Sequence, residues 1–352
     1  MIVLVTGICG FAGSKISTEL LNQIKNLQVI GIDNLSRKGS EQNISYLNHH
    51  DIKLICGDIR SQSDVDALPP VDWVIDCAAN PSVLAGLDGQ VSSRQVTEHN
   101  LLGTINLLEY CKMHRAGLIL LSTSRVYSAL ELANISVQES NERYEIEQSN
   151  MAGLSSLGIS EKFPTTAPIS LYGATKLASE QLILEYGNAF DFPIWINRCG
   201  VLAGAGQFGK ADQGIFSYWI HSFKEKRPLK YIGFEGTGFQ VRDALHPNDL
   251  VPLLSKQLME PNWEAPKIIN VGGGIENSMS LKQLSNWCEN RFGLNEVISC
   301  SESRPLDAPW IVMDSTVAQN AWNWSVKRKL EQILDEIADH AEKNPNWLSL
   351  TN

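Results

Sequence analysis

The segment Thr6-Gly7-Ile8-Cys9-Gly10-Phe11-Ala12-Gly13 stands between an apolar run, Ile2 to Val5, and a helix-patterned stretch from Ser14 to Leu21. Strand, glycine turn and helix in that order constrain the fold more than any other feature of the chain. Gly7 permits the tight turn, Gly10 lets backbone approach a pyrophosphate, and Gly13 lets helix and strand pack closely. The helix N-terminus then offers unpaired N–H groups and the positive end of its dipole to phosphates. A second apolar run, Val29 to Ile32, ends in Asp33, twenty residues after Gly13, the position from which a carboxylate accepts hydrogen bonds from ribose hydroxyls. Arg37 and Lys38 follow and could meet a 2′-phosphate, but Asp33 would repel it, so the pattern favours NAD over NADP.

Alternating apolar strands and helical stretches fill the first 200 residues or so, the pattern of an α/β protein with a doubly wound, Rossmann-type parallel sheet. After the strand Ile194 to Asn197 the composition shifts to a glycine-rich stretch, Gly200 to Gly214, and then to shorter pieces that carry most of the tryptophans. The expected organisation is a dinucleotide-binding domain over residues 1–199, to which the chain returns at about 240–272, and a smaller, discontinuous substrate domain from residues 200–239 and 273–352. The helix after Asp249 and the strand Ile268 to Val271 are the expected returns, and substrate should sit between the domains above the carboxyl ends of the strands. A formal net charge of −10 with no basic stripe argues against nucleic-acid binding. No apolar run approaches the ~20 residues of a membrane span, and a first strand beginning at residue 2 leaves no room for a leader. The seven cysteines are scattered and never at metal-ligand spacing, so reduced thiols, no metal and a cytoplasmic setting are expected.

Tyr172-Gly173-Ala174-Thr175-Lys176 opens a second helix-patterned run, which places Tyr172 and Lys176 on one face. An ammonium ~4 Å from a phenol, at an effective dielectric of ~20, favours the phenolate by roughly 4 kcal/mol, about three pKa units. Such a pair would be a proton acceptor for an alcohol near neutral pH.

The Gly-x-x-Gly-x-x-Gly spacing together with Tyr-x-x-x-Lys resembles the extended short-chain dehydrogenase/reductase superfamily, and the resemblance runs along nearly the whole chain. Cys56-Gly57-Asp58-Ile59 is similar to the adenine-contacting segment, and Val74 to Ala79 to the fourth strand, whose Ala78 and Ala79 lie by the cofactor. Asn100, with Gly103-Thr104 and Asn106 to Glu109, resembles the helix supporting the active-site lysine. Ile119 to Tyr127 reads as an apolar strand on which Thr123 takes the place of the family's catalytic Ser or Thr, with Ser122 beside it. The resemblance implies Thr123, Tyr172 and Lys176 as catalytic residues. It implies NAD contacts from Gly7, Cys9, Gly10, Phe11, Ala12, Gly13, Asp33, Asn34, Ser36, Arg37, Asp58, Ile59, Ala78, Ala79, Asn100, Ser122, Tyr172, Lys176 and Arg198.

Gln240-Val241-Arg242-Asp243-Ala244-Leu245-His246 and Arg304-Pro305-Leu306-Asp307, followed by Met313-Asp314, resemble elements of members with nucleotide-sugar substrates. Two arginines from separate segments can grip a diphosphate from two sides. The resemblance implies Arg242 and Arg304 in that role, Asp307 near the nucleoside, and Asn80, Thr123, Gln207, Gln213 and Gln240 as further substrate contacts. Asp33 to Gly39, Gly206-Gln207-Phe208 with Asp212-Gln213-Gly214, and Asn277 to Leu281 are most similar to the CDP-paratose 2-epimerase branch. That branch implies a homodimer of polysaccharide biosynthesis that oxidises its sugar transiently at C2 and returns the hydride to the other face. Ser124-Arg125, Ser128, Cys199-Gly200 and the segment Ala152 to Pro168 depart from the branch, and all are expected near the sugar pocket. No carboxylate follows Thr123, whereas 4,6-dehydratases place an acid and a base there. The alternatives to an epimerase are a nucleotide-sugar reductase or dehydrogenase, a dehydratase with a displaced acid, and a non-catalytic NAD-binding protein.

Overall fold

The computed structural model describes residues 1–352 except 87, 88, 90, 91, 148, 149, 211, 212, 261, 263 and 352. Seven strands, β1 (Ile2–Thr6), β2 (Gln28–Asp33), β3 (Lys53–Cys56), β4 (Trp73–Asp76), β5 (Gly117–Thr123), β6 (Ile194–Cys199) and β7 (Ile268–Val271), form one sheet. Their order is β7-β6-β5-β4-β1-β2-β3, and every neighbouring pair is parallel. The chain winds outward in both directions from β1 and β4, which opens a crevice above their carboxyl ends. Alternate residues of the central strands enter different cores, as a sheet covered on both faces requires. Val3, Val5, Ile75, Ile119 and Leu121 join one, and Leu4, Val74, Leu118 and Leu120 the other.

Helix α1 (Phe11–Gln23) follows the glycine turn and packs through Ile16 and Leu20 into the first of these cores. Helix α2 (Leu171–Phe190) starts where the Ser170 hydroxyl accepts a hydrogen bond from the Gly173 amide at 2.9 Å. Its buried stripe, Tyr172, Thr175, Lys176, Ser179, Glu180 and Ile183, has helical spacing but is largely polar. Helix α3 (Pro247–Met259) packs on α1, and β7 adds to the large sheet beside β6. Beyond the sheet, Phe216, Trp219, Ile220 and Phe223 pack with Leu284, Ile333 and Ile337 in a separate core. Beside that core, strand Val241–Leu245 sets Arg242 opposite Met279 and Ile311. No helix among the described residues is long and apolar enough to cross a membrane.

Two strands end earlier than their apolar runs suggest. β4 stops at Asp76 and not at Ala79, and β5 stops at Thr123 and not at Tyr127. The Thr123 hydroxyl accepts from the Arg125 amide at 3.2 Å, which turns Ser124–Val126 into a 3₁₀ turn.

The polar stripe of α2 is explained by its partners. Glu180, fully buried, accepts from Ser122 Oγ at 2.5 Å and from Arg198 Nη2 at 2.6 Å, joining α2 to β5 and β6. Arg198 also donates to the Tyr127 hydroxyl at 3.3 Å. Removing one partner leaves an uncompensated buried charge, so Glu180→Ala should destabilise the fold by about 3–5 kcal/mol in urea unfolding. The apolar double variant Glu180→Leu with Arg198→Met should recover most of that loss.

Candidate active site

A single cavity of about 970 Å³ lies over the carboxyl ends of β1, β4 and β5. At its floor Gly7 has a positive φ of 59°. A Cβ on Gly13 would lie 2.4 Å from the Gly7 carbonyl oxygen, and one on Gly7 would lie 2.9 Å from Cα of Ala78. The Thr6 hydroxyl donates to Asp76 at 2.6 Å and accepts from the Ala78 amide at 3.1 Å, fixing the small residues Ala78 and Ala79 beside the turn. No side chain caps α1, so its first-turn amides remain available to an anion. Gly7, Gly10, Phe11, Ala12 and Gly13 all line the cavity.

Asp33 stands at the end of β2, where the Cys9 amide donates to one of its oxygens at 2.9 Å and the Leu35 amide to the other at 2.8 Å. Each oxygen keeps a lone pair for a hydroxyl. Burial raises this carboxyl above the ordinary range, and the two backbone bonds pull it back down. Asn34 donates to Asp58 at 3.0 Å, and the Arg60 guanidinium holds the Asp58 carboxyl well below the usual range. Ser36, Arg37, Ile59 and Ser122 complete this end of the wall. A close-packed glycine turn, free helix amides and a ribose-facing carboxylate together fit a dinucleotide.

Thr123 and Tyr172 both line the cavity, from the end of β5 and the first turn of α2. The lowering of the phenol by Lys176 expected from the sequence is overturned. Burial pushes Tyr172 up to about 12, while the Thr123 hydroxyl and the charge of Arg125 pull it down. The expectation weighed the Coulomb attraction of an adjacent cation and left out the cost of burying a phenolate. Lys176 is 1 % exposed, and its charge acts on the thiols of Cys77 and Cys199.

Asn80, Gln207, Gln213, Gln240, Arg242, Arg304 and Asp307 also line the cavity. Arg242 donates to Asp307 at 2.6 Å and to its neighbour's carbonyl, that of Val241, at 2.7 Å. Asp212 lies outside the described residues.

Four expected contacts do not line the cavity. Cys9 is fully buried and serves through its amide on Asp33. Asn100, in a π-helical turn, accepts from the Asn80 amide at 2.8 Å and donates to Thr175 at 3.1 Å, supporting both the cavity wall and α2 from behind. Lys176 lies behind the wall, and Arg198 belongs to the Glu180 ion pair. Nor does the segment from Ala152 to Pro168 line the cavity: Ile159 exchanges hydrogen bonds with Val312 and Asp314. Ser128 is likewise absent from the wall, whereas Cys199 and Gly200 are part of it.

Two residues named in the sequence motifs take no role there but have one in the structure. Arg125, marked in the sequence as a departure near the expected sugar pocket, lines the cavity beside Thr123. Phe208 accepts at its carbonyl from Arg37 at 3.1 Å, and its ring stacks on Trp347, whose indole donates to the Gln207 carbonyl at 2.9 Å. Lys38 reaches the Ser349 carbonyl at 3.4 Å. The two cations that might have met a 2′-phosphate are thus engaged with a strap formed by the glycine loop and residues 347–349.

A Rossmann sheet with this cavity defines a dinucleotide-dependent enzyme of sugar or alcohol chemistry, and comparison with known proteins narrows it. The profile of the NAD dependent epimerase/dehydratase family matches residues 3–272, and the chain belongs to that family, with NAD as its cofactor. Among curated proteins it is similar to CDP-paratose 2-epimerase of Salmonella typhi, 29 % identical, the match covering 96 % of this chain and 98 % of that one. It is also similar to UDP-glucuronate 4-epimerase of Thermodesulfobacterium geofontis, at 25 % identity over 97 % and 96 % of the two chains. Among solved structures, UDP-glucuronic acid 4-epimerase of Bacillus cereus, in complex with UDP-glucuronic acid and NAD, superposes with a TM-score of 0.78 at 25 % identity, covering 97 % of this chain and 99 % of that one.

Two measurements test this geometry. In NAD-free protein the 295 nm tyrosinate signal of the wild type minus that of Tyr172→Phe should stay flat to pH 10, since the buried phenol ionises only near pH 12. Trp347→Ala removes one hydrogen bond and one stack from the strap and should weaken NAD retention about 10- to 100-fold, read as NAD content after gel filtration.

Proposed function

We propose that the protein is an NAD-dependent nucleotide-sugar epimerase, and that its substrate is a CDP-linked deoxyhexose inverted at C2. The observation that carries the reaction class is the distribution of charge along one cavity. Thr123 and Tyr172 line it together with Arg125, Arg242 and Arg304, and the carboxylates that line it are, among the described residues, Asp33, Asp58 and Asp307. None of these three stands next to Thr123 in the chain, where a dehydratase places the acid and base that expel water. The similarity to a CDP-paratose 2-epimerase over nearly the full chain supports the finer reading of nucleotide and carbon.

NAD, when bound, supplies a positively charged acceptor of hydride and later its donor. Tyr172 as phenolate takes the proton of the sugar hydroxyl, and Thr123 holds the oxygen that becomes a carbonyl. Arg242 and Arg304 keep the diphosphate in place while the keto sugar turns over between them and Tyr172. Tyr172 then returns the proton to the oxygen of the inverted centre. Because burial holds the phenol near 12, the site keeps it neutral at physiological pH until positive charge enters the cavity.

Incubation with CDP-, UDP- and GDP-sugars without added reductant, followed by NMR of the products, tests the reading. The expected product is inverted at one carbon, C2 of a CDP-sugar, with no solvent deuterium at that carbon. Deuterium there would replace hydride return by deprotonation next to a carbonyl, and a requirement for added NADH would make the enzyme a reductase. Tyr172→Phe should lower turnover at least ~100-fold while NAD content stays normal. Near-normal turnover would reduce Tyr172 to a packing residue.

A further inference from the structure

Arg125 is anchored at its backbone and free at its head. Its amide donates to the Thr123 hydroxyl at 3.2 Å. Its carbonyl oxygen is packed so closely on α2 that a Cβ at Gly173 would stand 2.1 Å from it. The side chain leaves this fixed turn to line the cavity, yet the guanidinium has no hydrogen-bond or ion-pair partner among the described residues. The ionisable groups whose charge acts on it are Arg242, Asp307, Arg304 and Tyr172. Burial and the two arginines hold it below the usual arginine range, at about 10, with Asp307 opposing them.

Arg125 is half-buried, and an unpartnered cation set beside two other cations is a place where an anion is favoured. The charges can be counted. Arg242 and Asp307, each 12 % exposed, form an ion pair at 2.6 Å and cancel. Arg304 has no side-chain partner among the described residues either, so within the group of Arg125, Arg242, Arg304 and Asp307 two positive charges, Arg304 and Arg125, are left uncompensated. A diphosphate diester carries two negative charges at neutral pH, which matches them. A neutral sugar hydroxyl would leave the Arg125 charge unbalanced.

We propose that Arg125 is a third guanidinium of the diphosphate site, holding the phosphate nearest the sugar. The proposal rests on the nucleotide-sugar reading above. It makes Arg125 a specificity residue, because Arg125 and Thr123 belong to one rigid turn. That turn sets the distance from the anchored phosphate to the reacting oxygen, and so which carbon of the sugar reaches Tyr172.

The test is equilibrium binding of CDP, UDP and their monophosphates CMP and UMP to the NAD-loaded protein, with Arg125→Gln and Arg125→Lys as variants. Arg125→Gln should weaken nucleoside diphosphate binding about 10- to 100-fold and monophosphate binding less than about 3-fold. Arg125→Lys, which keeps the charge but loses the fork, should lose several-fold on the diphosphates alone and carries the test if the glutamine variant does not fold. Equal losses on mono- and diphosphates would overturn the proposal. So would unchanged diphosphate binding with a loss confined to the sugar-bearing ligand, which would assign Arg125 to the sugar. A wild-type protein that binds no nucleoside diphosphate overturns the nucleotide-sugar reading itself, whereas wild-type binding with an indifferent Arg125→Gln overturns this proposal alone.

Discussion

The buried carboxylate of Glu180 is the contact on which the arrangement of the site depends. One side chain holds Ser122 of β5, Arg198 of β6 and the body of α2 together. Ser122 precedes Thr123, and Tyr172 lies two helical turns before Glu180 on the same buried face of α2. The meeting of the two hydroxyls in the cavity is therefore set by an ion pair that does not touch the cavity. Buried pairs of this kind contribute little net stability compared with apolar packing, but they tolerate few alternative registers. A helix free to slide or rotate on the sheet would move Tyr172 away from Thr123.

The second constraint is the conflict between burial and charge at Tyr172. Withdrawing the phenol from water excludes side reactions and strengthens every field acting on it, at the cost of disfavouring the ionised form that would act as base. The structure leans to the neutral form in the protein alone, with one hydroxyl and one guanidinium working against burial. Any ligand that brings positive charge into the cavity moves the balance. Proton affinity at Tyr172 is in this way coupled to the charge that occupies the cavity.

The third is the division of the cavity wall between two bodies of the fold. Its floor belongs to β1, β4, β5 and the turn before α1. Another part, with Arg242, is supplied by the small sheet around Val241–Leu245 and by the loop carrying Arg304 and Asp307. The strap that joins Phe208, Arg37 and Trp347 closes over the β2 loop. Each wall is built from segments far apart in sequence, so their spacing is a property of packing.

Much of the fold was legible in local pattern. The Gly7, Gly10 and Gly13 spacing, with Asp33 twenty residues on, determined the β1–α1–β2 unit, because each glycine answers a close approach that is local in the chain. Helical spacing likewise placed Tyr172 and Lys176 on one face, and short motifs marked Arg242, Arg304 and Asp307, all of which reach the cavity. What the pattern could not show was depth. Lys176, Arg198, Asn100 and Cys9 carry the right chemistry but lie behind the wall, and the pKa of Tyr172 follows from its burial more than from its neighbour four residues away. Arg125 was legible as a departure near the expected pocket, but its company, two other arginines, follows only from the packing of the turn after β5. Sequence spacing determines which side chains share an element and a face. Only tertiary packing decides which of them water and ligands can reach, because desolvation and unpaired charge arise from atoms contributed by the rest of the chain.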